Sequence, residues 1–152
     1  MLISCYYFLM SKIKGWLREN VLYVAWAQAL VAMLGSLFFS EVMKLPPCVL
    51  CWYQRVCLYP LVVILGVGIL RKNRDIAWYV LPLSLVGLAI ASYHNLLYYN
   101  IIPESLAPCA LGVSCTTKFF EWLGFITIPF MSLMAFIVIN ASMVVYLRTQ
   151  EK

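Results

Sequence analysis

Two cysteines and an arginine at the edge of an apolar stretch are the residues of this sequence best suited to chemistry. Cys48 and Cys51 are separated by two residues, and Arg55 follows the second cysteine by four. Paired thiols at this spacing can be oxidised to a disulfide and reduced again. Redox chemistry is therefore the favoured interpretation, while a purely structural disulfide and half of a metal site are the alternatives.

The neighbouring residues predict how the backbone positions this pair. Pro46 and Pro47 favour an extended approach, because a residue before proline avoids the helical region. A helix is then predicted to begin near Cys51, with Arg55 one turn further along on the same face. The positive end of the helix dipole and the guanidinium both stabilise a thiolate, so we expect the pKa of at least one thiol to be lowered.

The composition indicates a membrane protein. Of the 152 residues, 64% are hydrophobic and 11% are charged, and the mean hydropathy is +0.91. A soluble domain of this size cannot bury so much apolar surface. The net charge of +5 does not indicate nucleic-acid binding, because the positions of the basic residues are those that mark membrane orientation.

Four stretches are long and apolar enough to cross a bilayer, for which about 20 residues are needed. They cover residues 21–40, 52–70, 76–97 and 128–147. The predicted fold is an all-α membrane protein, a four-helix transmembrane bundle forming one domain over residues 20–147. Short tails are expected at residues 1–19 and 148–152. Residues 1–9 are interpreted either as an over-extension ahead of a natural start at Met10 or as a loosely held tail.

Basic residues predict the orientation through the positive-inside rule. Eight of them lie in the two tails and in the loop between the second and third spans. The other two loops hold Lys44 and Lys118, and Arg55 stands at a span boundary. Both termini are therefore predicted to be cytoplasmic, and the loops before the second and fourth spans are predicted to face outward.

The remaining cysteines are interpreted by their position relative to the membrane. Cys109 and Cys115 fall in the second outward loop, where disulfides persist. A disulfide that closes so short a loop stabilises little, which favours an exchangeable bond. Cys57 lies inside the second span and is interpreted as a packing residue, and Cys5 as a bystander on the reducing side. A zinc site made of the four outer cysteines is the metal alternative, although no metal cofactor is expected.

Three expectations concern the outer ends of the third and fourth spans. Thr127 is predicted to cap the fourth helix, with Pro129 in its first turn. Residues 121–125 are predicted to form a short interfacial helix. An interfacial aromatic belt is predicted from Tyr98, Tyr99 and Trp122.

These motifs together resemble those of a known family. The run Cys-Val-Leu-Cys-Trp-Tyr-Gln-Arg at 48–55 resembles the active-site signature of the DsbB/BdbC disulfide-formation proteins. Tyr-His-Asn-Leu-Leu at 93–97 is similar to the end of that family's third span, and residues 122–129 to the approach to its fourth. The five-residue spacer between Cys109 and Cys115 is similar to the short BdbC type of Gram-positive bacteria. The way in which the long-loop proteobacterial proteins transfer a disulfide between their two loops therefore need not apply here.

The resemblance implies a quinone-dependent thiol oxidase in the bacterial cytoplasmic membrane, serving disulfide formation in exported proteins. An extracytoplasmic thioredoxin-like thiol oxidase, of the DsbA or BdbD kind, would deliver two electrons by attack on the Cys109–Cys115 disulfide, at Cys109. Cys115 would pass them to the Cys48–Cys51 pair. Cys51 would then reduce menaquinone or ubiquinone.

The resemblance also implies a quinone-binding pair. Arg55 is expected to donate hydrogen bonds to a quinone carbonyl, the alternative being a charge that only reaches the lipid headgroups. His94, the only histidine, is expected to face the same pocket, the alternative being a hydrogen-bonded histidine at a helix end. For Trp52 and Gln54, anchoring at the membrane interface is at least as well supported by the sequence as contact with a ligand.

Three other functions are weighed at the level of sequence. One is a purely structural membrane subunit, which would leave the outward cysteine pairs unexplained. A vitamin K epoxide reductase-like enzyme also couples a quinone to a C-x-x-C pair, but that pair lies on a late helix rather than at the start of the second. A metal-binding membrane carrier is the alternative from another class. No acidic residue within the predicted spans, inverted repeat or histidine-rich loop supports a carrier. The chain is expected to act as a monomer in the lipid bilayer.

Overall fold

The computed structural model describes residues 2–103, 121–122 and 126–150, with side chains described for residues 20–103 and 127–150. Helix α1 covers Leu2–Leu37 and continues as a π-helical turn, Phe38–Val42. Helix α2 covers Val49–Arg71, α3 covers Ile76–Tyr98 and α4 covers Ile128–Gln150. Within the described residues, four helical stretches are long and apolar enough to span a membrane: Asn20–Val42, Val49–Arg71, Ile76–Tyr98 and Ile128–Gln150. The predicted all-α, four-helix membrane fold is confirmed.

Helix α2 begins earlier than the sequence predicted, and this changes the place of its cysteines. Cys48 is the N-cap, with an extended backbone at φ −72° and ψ 170°, and the helix begins at Val49. The Cys48 Sγ accepts a hydrogen bond from the backbone N–H of Cys51 at 3.4 Å. Sulfur thus occupies the position in which a serine or aspartate oxygen usually satisfies a first-turn N–H. Cys51 lies in the first turn rather than at the helix start.

The start of α4 confirms one prediction and corrects another. Thr127 caps the helix, since its Oγ1 accepts the Phe130 N–H at 3.3 Å, and Pro129 lies in the first turn. The helix predicted over 121–125 is wrong at its first two residues, because Glu121–Trp122 is extended and pairs antiparallel with Ile126–Thr127. The N-cap residue of a helix has extended backbone. Thr127 can therefore cap the helix and also pair with Glu121 in this short ladder.

Small residues set how closely the helices approach. Ala25 and Ala29 of α1 are fully buried, as expected for side chains that allow close helix contact. Gly87 of α3 faces Phe136 of α4, where an added Cβ would overlap the phenyl ring. The Trp26 indole N–H of α1 donates to the Val62 carbonyl of α2 at 3.2 Å. These contacts fix the helices laterally and so determine which side chains meet at the end of the bundle where α2 begins.

Candidate functional site

A cavity of about 260 Å³ lies among the four helices at the Cys48 end of the bundle. Most of its walls are apolar, and they come from all four helices and from the loop that ends in Pro46 and Pro47. Its polar lining consists of Gln28, Ser36, Cys48, Cys51, Gln54, Arg55, His94, Tyr98 and Ser132. An apolar pocket with a few convergent polar groups is the usual form of a small-molecule site.

The two cysteines of the motif meet at this cavity as free thiols. Their sulfur atoms lie 2.9 Å apart, with Cys48 buried and Cys51 partly exposed. A hydrogen bond from the Cys51 thiol and the nearby His94 ring lower the pKa of Cys48 to about 4, although burial of the thiol acts in the opposite direction. The lowered pKa of Cys48 assigns the thiolate of the reduced pair to Cys48, with the Cys51 thiol donating to it. A thiolate is the reactive form of cysteine.

His94 joins this pair from α3, 46 residues away in sequence. Its Nε2 lies 3.8 Å from the Cys48 Sγ, and its ring is 2% exposed. The Gln54 amide Nε2 lies 3.1 Å from the opposite ring nitrogen, Nδ1. An amide NH₂ can only donate, so Nδ1 accepts and the ring proton of a neutral His94 is on Nε2, facing the sulfur. Gln54 therefore selects the tautomer that can hydrogen-bond to the Cys48 thiolate.

Arg55 is held at the same cavity by helix α1. Its Nε donates to the Ser36 Oγ at 2.8 Å and its Nη2 to the Ser36 carbonyl at 3.0 Å. The guanidinium carbon lies 5.4 Å from the centre of the exposed Trp52 ring. Ser36 is just before the π-helical turn, a distortion that is frequent at functional sites. The Nη1 group is not used in the Ser36 contacts, and Arg55 lines the cavity.

The structure brings four of the six predicted site residues together. Cys48, Cys51, Arg55 and His94 all line the cavity, and the Cys48 Sγ lies 3.8 Å from the His94 Nε2. The second predicted cysteine pair, Cys109 and Cys115, lies outside the described residues. Cys57 is buried in the apolar core among helices α1 to α4.

Sequence reasoning missed three features of the site. Gln54 was weighed as an interface anchor, but it is 6% exposed and contacts His94. Tyr98, predicted in the aromatic belt, is instead buried and lines the cavity, whereas Tyr99 is exposed. Ser36, which accepts hydrogen bonds from Arg55 through its Oγ and its carbonyl, is the third feature. Glutamine inside a span is a polar signal that could have indicated Gln54, whereas nothing in the sequence indicated that Ser36 or Tyr98 lies at the site.

Comparisons with known proteins match most of the chain. The family model for "Disulfide bond formation protein DsbB" matches residues 18–146. The chain is 48% identical over 124 residues to disulfide bond formation protein C of Bacillus subtilis (strain 168), covering 80% of this chain and 88% of the relative. It is 46% identical over 123 residues to probable disulfide formation protein C 1 of Bacillus anthracis, with the same coverage.

A third relative extends the match. The probable disulfide formation protein of Oceanobacillus iheyensis is 43% identical over 135 residues, which cover 88% of this chain and 93% of the relative. No solved structure matches the chain. Because the family model covers most of the sequence and the relatives align over most of their own length, the chain belongs to the DsbB family of disulfide bond formation proteins.

Proposed function

We propose that this membrane disulfide oxidoreductase is quinone-dependent and reoxidises an extracytoplasmic thioredoxin-like thiol oxidase. One observation carries the proposal: a thiol pair, an imidazole and a guanidinium line a single apolar cavity at one end of a membrane bundle. A lipid-soluble electron acceptor reaches such a site through the bilayer, whereas a protein thiol reaches it from the aqueous side. The names of the relatives, which refer to disulfide formation, support the same direction of electron flow.

The cavity residues fit a quinone ring. The volume of about 260 Å³ accommodates a ring-sized headgroup between apolar walls, so a long isoprenoid tail would extend toward lipid. Arg55 keeps N–H donors beyond the two that bind Ser36, and a charge-assisted hydrogen bond to a carbonyl is among the stronger polar contacts. When bound, menaquinone or ubiquinone supplies the two-electron oxidation that regenerates the disulfide.

The residues of the chain have distinct roles in this proposal. The partner's thiolate attacks the Cys109–Cys115 disulfide at Cys109, and exchange with the partner's second thiol leaves Cys109 and Cys115 reduced. Cys115 then attacks the Cys48–Cys51 disulfide, so that the outer disulfide re-forms and two electrons reach the inner pair. Cys51 is the proposed electron donor, because it is partly exposed at the cavity and one turn from Arg55.

Cys48 and His94 have a supporting role in the reduced state. Cys48 is buried, and its thiolate lies beside the Cys51 thiol and the His94 Nε2. The thiol proton of Cys51 can therefore move to Cys48 without crossing apolar space. Before this transfer, His94 stabilises the negative charge on Cys48, and Gln54 keeps the ring in the required tautomer. After the transfer the negative charge is on Cys51, one helical turn from Arg55.

The proposed orientation places this cavity on the outer side of the bacterial cytoplasmic membrane, with both termini inside and the protein acting as a monomer. After reduction, a membrane-impermeant thiol reagent added from outside should label cysteines 48, 51, 109 and 115. A cysteine introduced at Lys72 or Arg148 should stay unlabelled until the membrane is permeabilised. Labelling of either introduced cysteine from outside would contradict this orientation.

The central experiment is anaerobic mixing of the purified protein with a reduced thioredoxin-like thiol oxidase and a quinone. We expect loss of the quinone absorption and oxidation of the partner in equal amounts, two electrons each. Omitting the quinone should limit partner oxidation to the disulfides already present in the protein. Continued anaerobic turnover without quinone would rule out quinone dependence and leave the broader oxidoreductase function intact.

A further inference from the structure

The outer end of the bundle gathers three ligand atoms of a kind that soft and borderline metal ions prefer. The sulfurs of Cys48 and Cys51 and a ring nitrogen of His94 all lie within 4.8 Å of one another. The sulfurs are 2.9 Å apart, and Cys48 Sγ lies 3.8 Å from Nε2. Two thiolates and one imidazole are a common protein ligand set for zinc when a fourth position is left open.

We propose that the reduced Cys48–Cys51 pair and His94 form a binding site for a thiophilic divalent cation, Zn²⁺ or Cd²⁺, which inhibits the protein by preventing reoxidation of the pair. The site exists only in the dithiol state, because sulfurs joined in a disulfide are not available as thiolate ligands. Binding releases the proton of the Cys51 thiol, and neither the metal nor the sulfurs change oxidation state. This is an inhibitory site, and it differs from a zinc site made of four cysteines.

The geometry requires only a small rearrangement. Zinc–sulfur bonds of about 2.3 Å and zinc–nitrogen bonds of about 2.0 Å in a tetrahedron place two sulfurs about 3.8 Å apart and sulfur about 3.5 Å from nitrogen. The Cys48 to His94 separation of 3.8 Å is already close to this value. The two sulfurs must move apart by about 1 Å, and the Cys51 Sγ, which lies within 4.8 Å of a His94 ring nitrogen, must reach the same sulfur–nitrogen distance. Movement of the partly exposed Cys51 side chain is therefore required. The fourth position then opens on the cavity.

Charge and the surrounding residues also favour a metal ion. Two thiolates neutralise a divalent cation, so the loaded site carries no net charge in an apolar setting where a free charge is costly. A metal on Nε2 requires the Nδ1 proton to be donated to an acceptor. Gln54 lies 3.1 Å from Nδ1. After a 180° flip of its side-chain amide, the Gln54 oxygen accepts a hydrogen bond from the Nδ1–H group. Gln54 is therefore expected to hold His94 in the orientation that binds the metal.

Direct binding tests the proposal without relying on catalysis. The protein would carry Cys5→Ser, Cys109→Ser and Cys115→Ser, so that Cys57 is the only cysteine outside the cluster. After reduction with a non-thiol reductant, Cd²⁺ or Zn²⁺ binding would be measured by calorimetry, and Co²⁺ would be added as a spectroscopic probe. We expect one ion per chain and the visible absorption of tetrahedral Co²⁺ with thiolate ligands. The same protein oxidised to the Cys48–Cys51 disulfide should bind no ion.

Single variants then identify the ligands. Cys51→Ser should abolish stoichiometric binding, and His94→Ala should weaken it at least about 10-fold, while Gln54→Leu should weaken it about 10- to 100-fold as an outer partner does. Cys57→Ala is the matched control and should bind like the parent. Equal binding by the oxidised protein, undiminished binding by Cys51→Ser, or no binding by the reduced protein would each overturn the proposal.

Inhibition is the second half of the test, and it rests on the proposed function. In the protein with all six cysteines, Zn²⁺ should stop partner oxidation after the first reduction, and a chelator should restore it. Binding without any quinone-dependent turnover would leave the metal site established and refute the proposed function instead. Full turnover with the ion demonstrably bound would refute the inhibitory role.

Discussion

Two buried polar clusters in this bundle use similar side chains in opposite ways. In the middle of the bundle, Ser84 of α3 donates to Asn140 Oδ1 at 3.0 Å, and the Asn140 amide donates to the Ser84 and Phe136 carbonyls. At the Cys48 end, Gln54 and His94 are equally buried, but their chain of contacts ends at a sulfur that lines a cavity.

The difference shows which buried polar groups serve stability and which serve chemistry. The Ser84–Asn140 cluster satisfies its donors within two packed helices, so its contribution is to join α3 and α4. In the Gln54–His94–Cys48 cluster, Gln54 holds the His94 ring so that its Nε2 faces the ionisable Cys48 sulfur beside the cavity. Perturbed ionisable groups in such a position are typical of reaction sites. Variants in the first cluster should therefore alter unfolding, and variants in the second should alter reactivity.

The largest expected effect is loss of turnover when any cysteine of the two pairs is removed. Cys48→Ser, Cys51→Ser, Cys109→Ser and Cys115→Ser should each abolish quinone-dependent oxidation of the thioredoxin-like partner, because each leaves one pair unable to form its disulfide. Turnover would be followed as anaerobic loss of quinone absorption.

Cysteines outside the two pairs provide the control for this experiment. Cys57→Ala and Cys5→Ser should keep turnover near the parent level, since Cys57 is packed in the core and Cys5 is predicted on the reducing side. Full activity in a Cys109→Ser, Cys115→Ser double variant with the physiological partner would exclude a relay through two pairs.

The next largest effect concerns how the thiolate fraction of Cys48 in the reduced pair depends on pH. With its pKa lowered to about 4, Cys48 is a thiolate throughout the neutral range and is protonated only as the pH falls through that value. At pH 6.5 an ordinary thiol with a pKa of about 8.5 is about 1% ionised. Cys48 should therefore hold about 100 times more thiolate than the same residue in the unfolded chain.

Alkylation with iodoacetamide, followed by peptide mass analysis, measures this directly. The rate at Cys48 should be nearly constant from pH 8 to pH 6 and should fall only in acid, while Cys51→Ala should move the fall to higher pH because Cys48 loses its hydrogen-bond donor. A rate that rises tenfold per pH unit through neutrality would mean that the thiol is not activated.

Arg55 distinguishes quinone binding from simple attraction to headgroups. If Arg55 orients a carbonyl, Arg55→Lys should lower quinone affinity or rate about 10- to 100-fold, because lysine lacks the planar fork and a charge-assisted hydrogen bond contributes about 1.5–3 kcal/mol. The first exchange with the partner should survive. Ser36→Ala, which removes only the 2.8 Å contact to Nε, should give a smaller effect in the same direction. A nearly silent Arg55→Lys variant would favour the headgroup interpretation.

Gln54 should have a smaller effect, exerted through His94. Gln54→Leu removes the donor to Nδ1, so the proton on Nε2 is no longer fixed toward Cys48. We expect about a 10-fold loss of turnover, corresponding to one hydrogen bond of about 1–1.5 kcal/mol, and a shift of the Cys48 alkylation profile to higher pH. A purely structural glutamine would leave that profile unchanged.

The smallest expected effect is in the Ser84–Asn140 cluster, where only the stability of the protein should change. Asn140→Leu removes the contacts to α3, and polar contacts between membrane helices contribute about 0.6–2 kcal/mol. Thermal unfolding in detergent should shift down slightly, while quinone dependence and Cys48 alkylation stay at parent values. Loss of quinone dependence in a folded Asn140→Leu protein would mean that the two clusters are coupled.

The sequence alone determined the number of helices and much of the site. Twenty-residue apolar stretches predict spanning helices because backbone groups in lipid must be satisfied within the segment. The relation between Cys51 and Arg55 was equally predictable, since residues four apart share a helix face. The cap at Thr127 likewise follows from local backbone chemistry.

Only the tertiary structure decided which residues meet between helices. Because lipid is as apolar as the protein core, membrane helices need no strong contrast between faces, so hydropathy could not show that Gln54 points inward or that Tyr98 is buried. The approach of His94 to Cys48 and of Ser36 to Arg55 depends on lateral packing set by small residues such as Ala29 and Gly87. Those contacts are separated by many residues in sequence, and their register is fixed by side-chain fit rather than by any local signal.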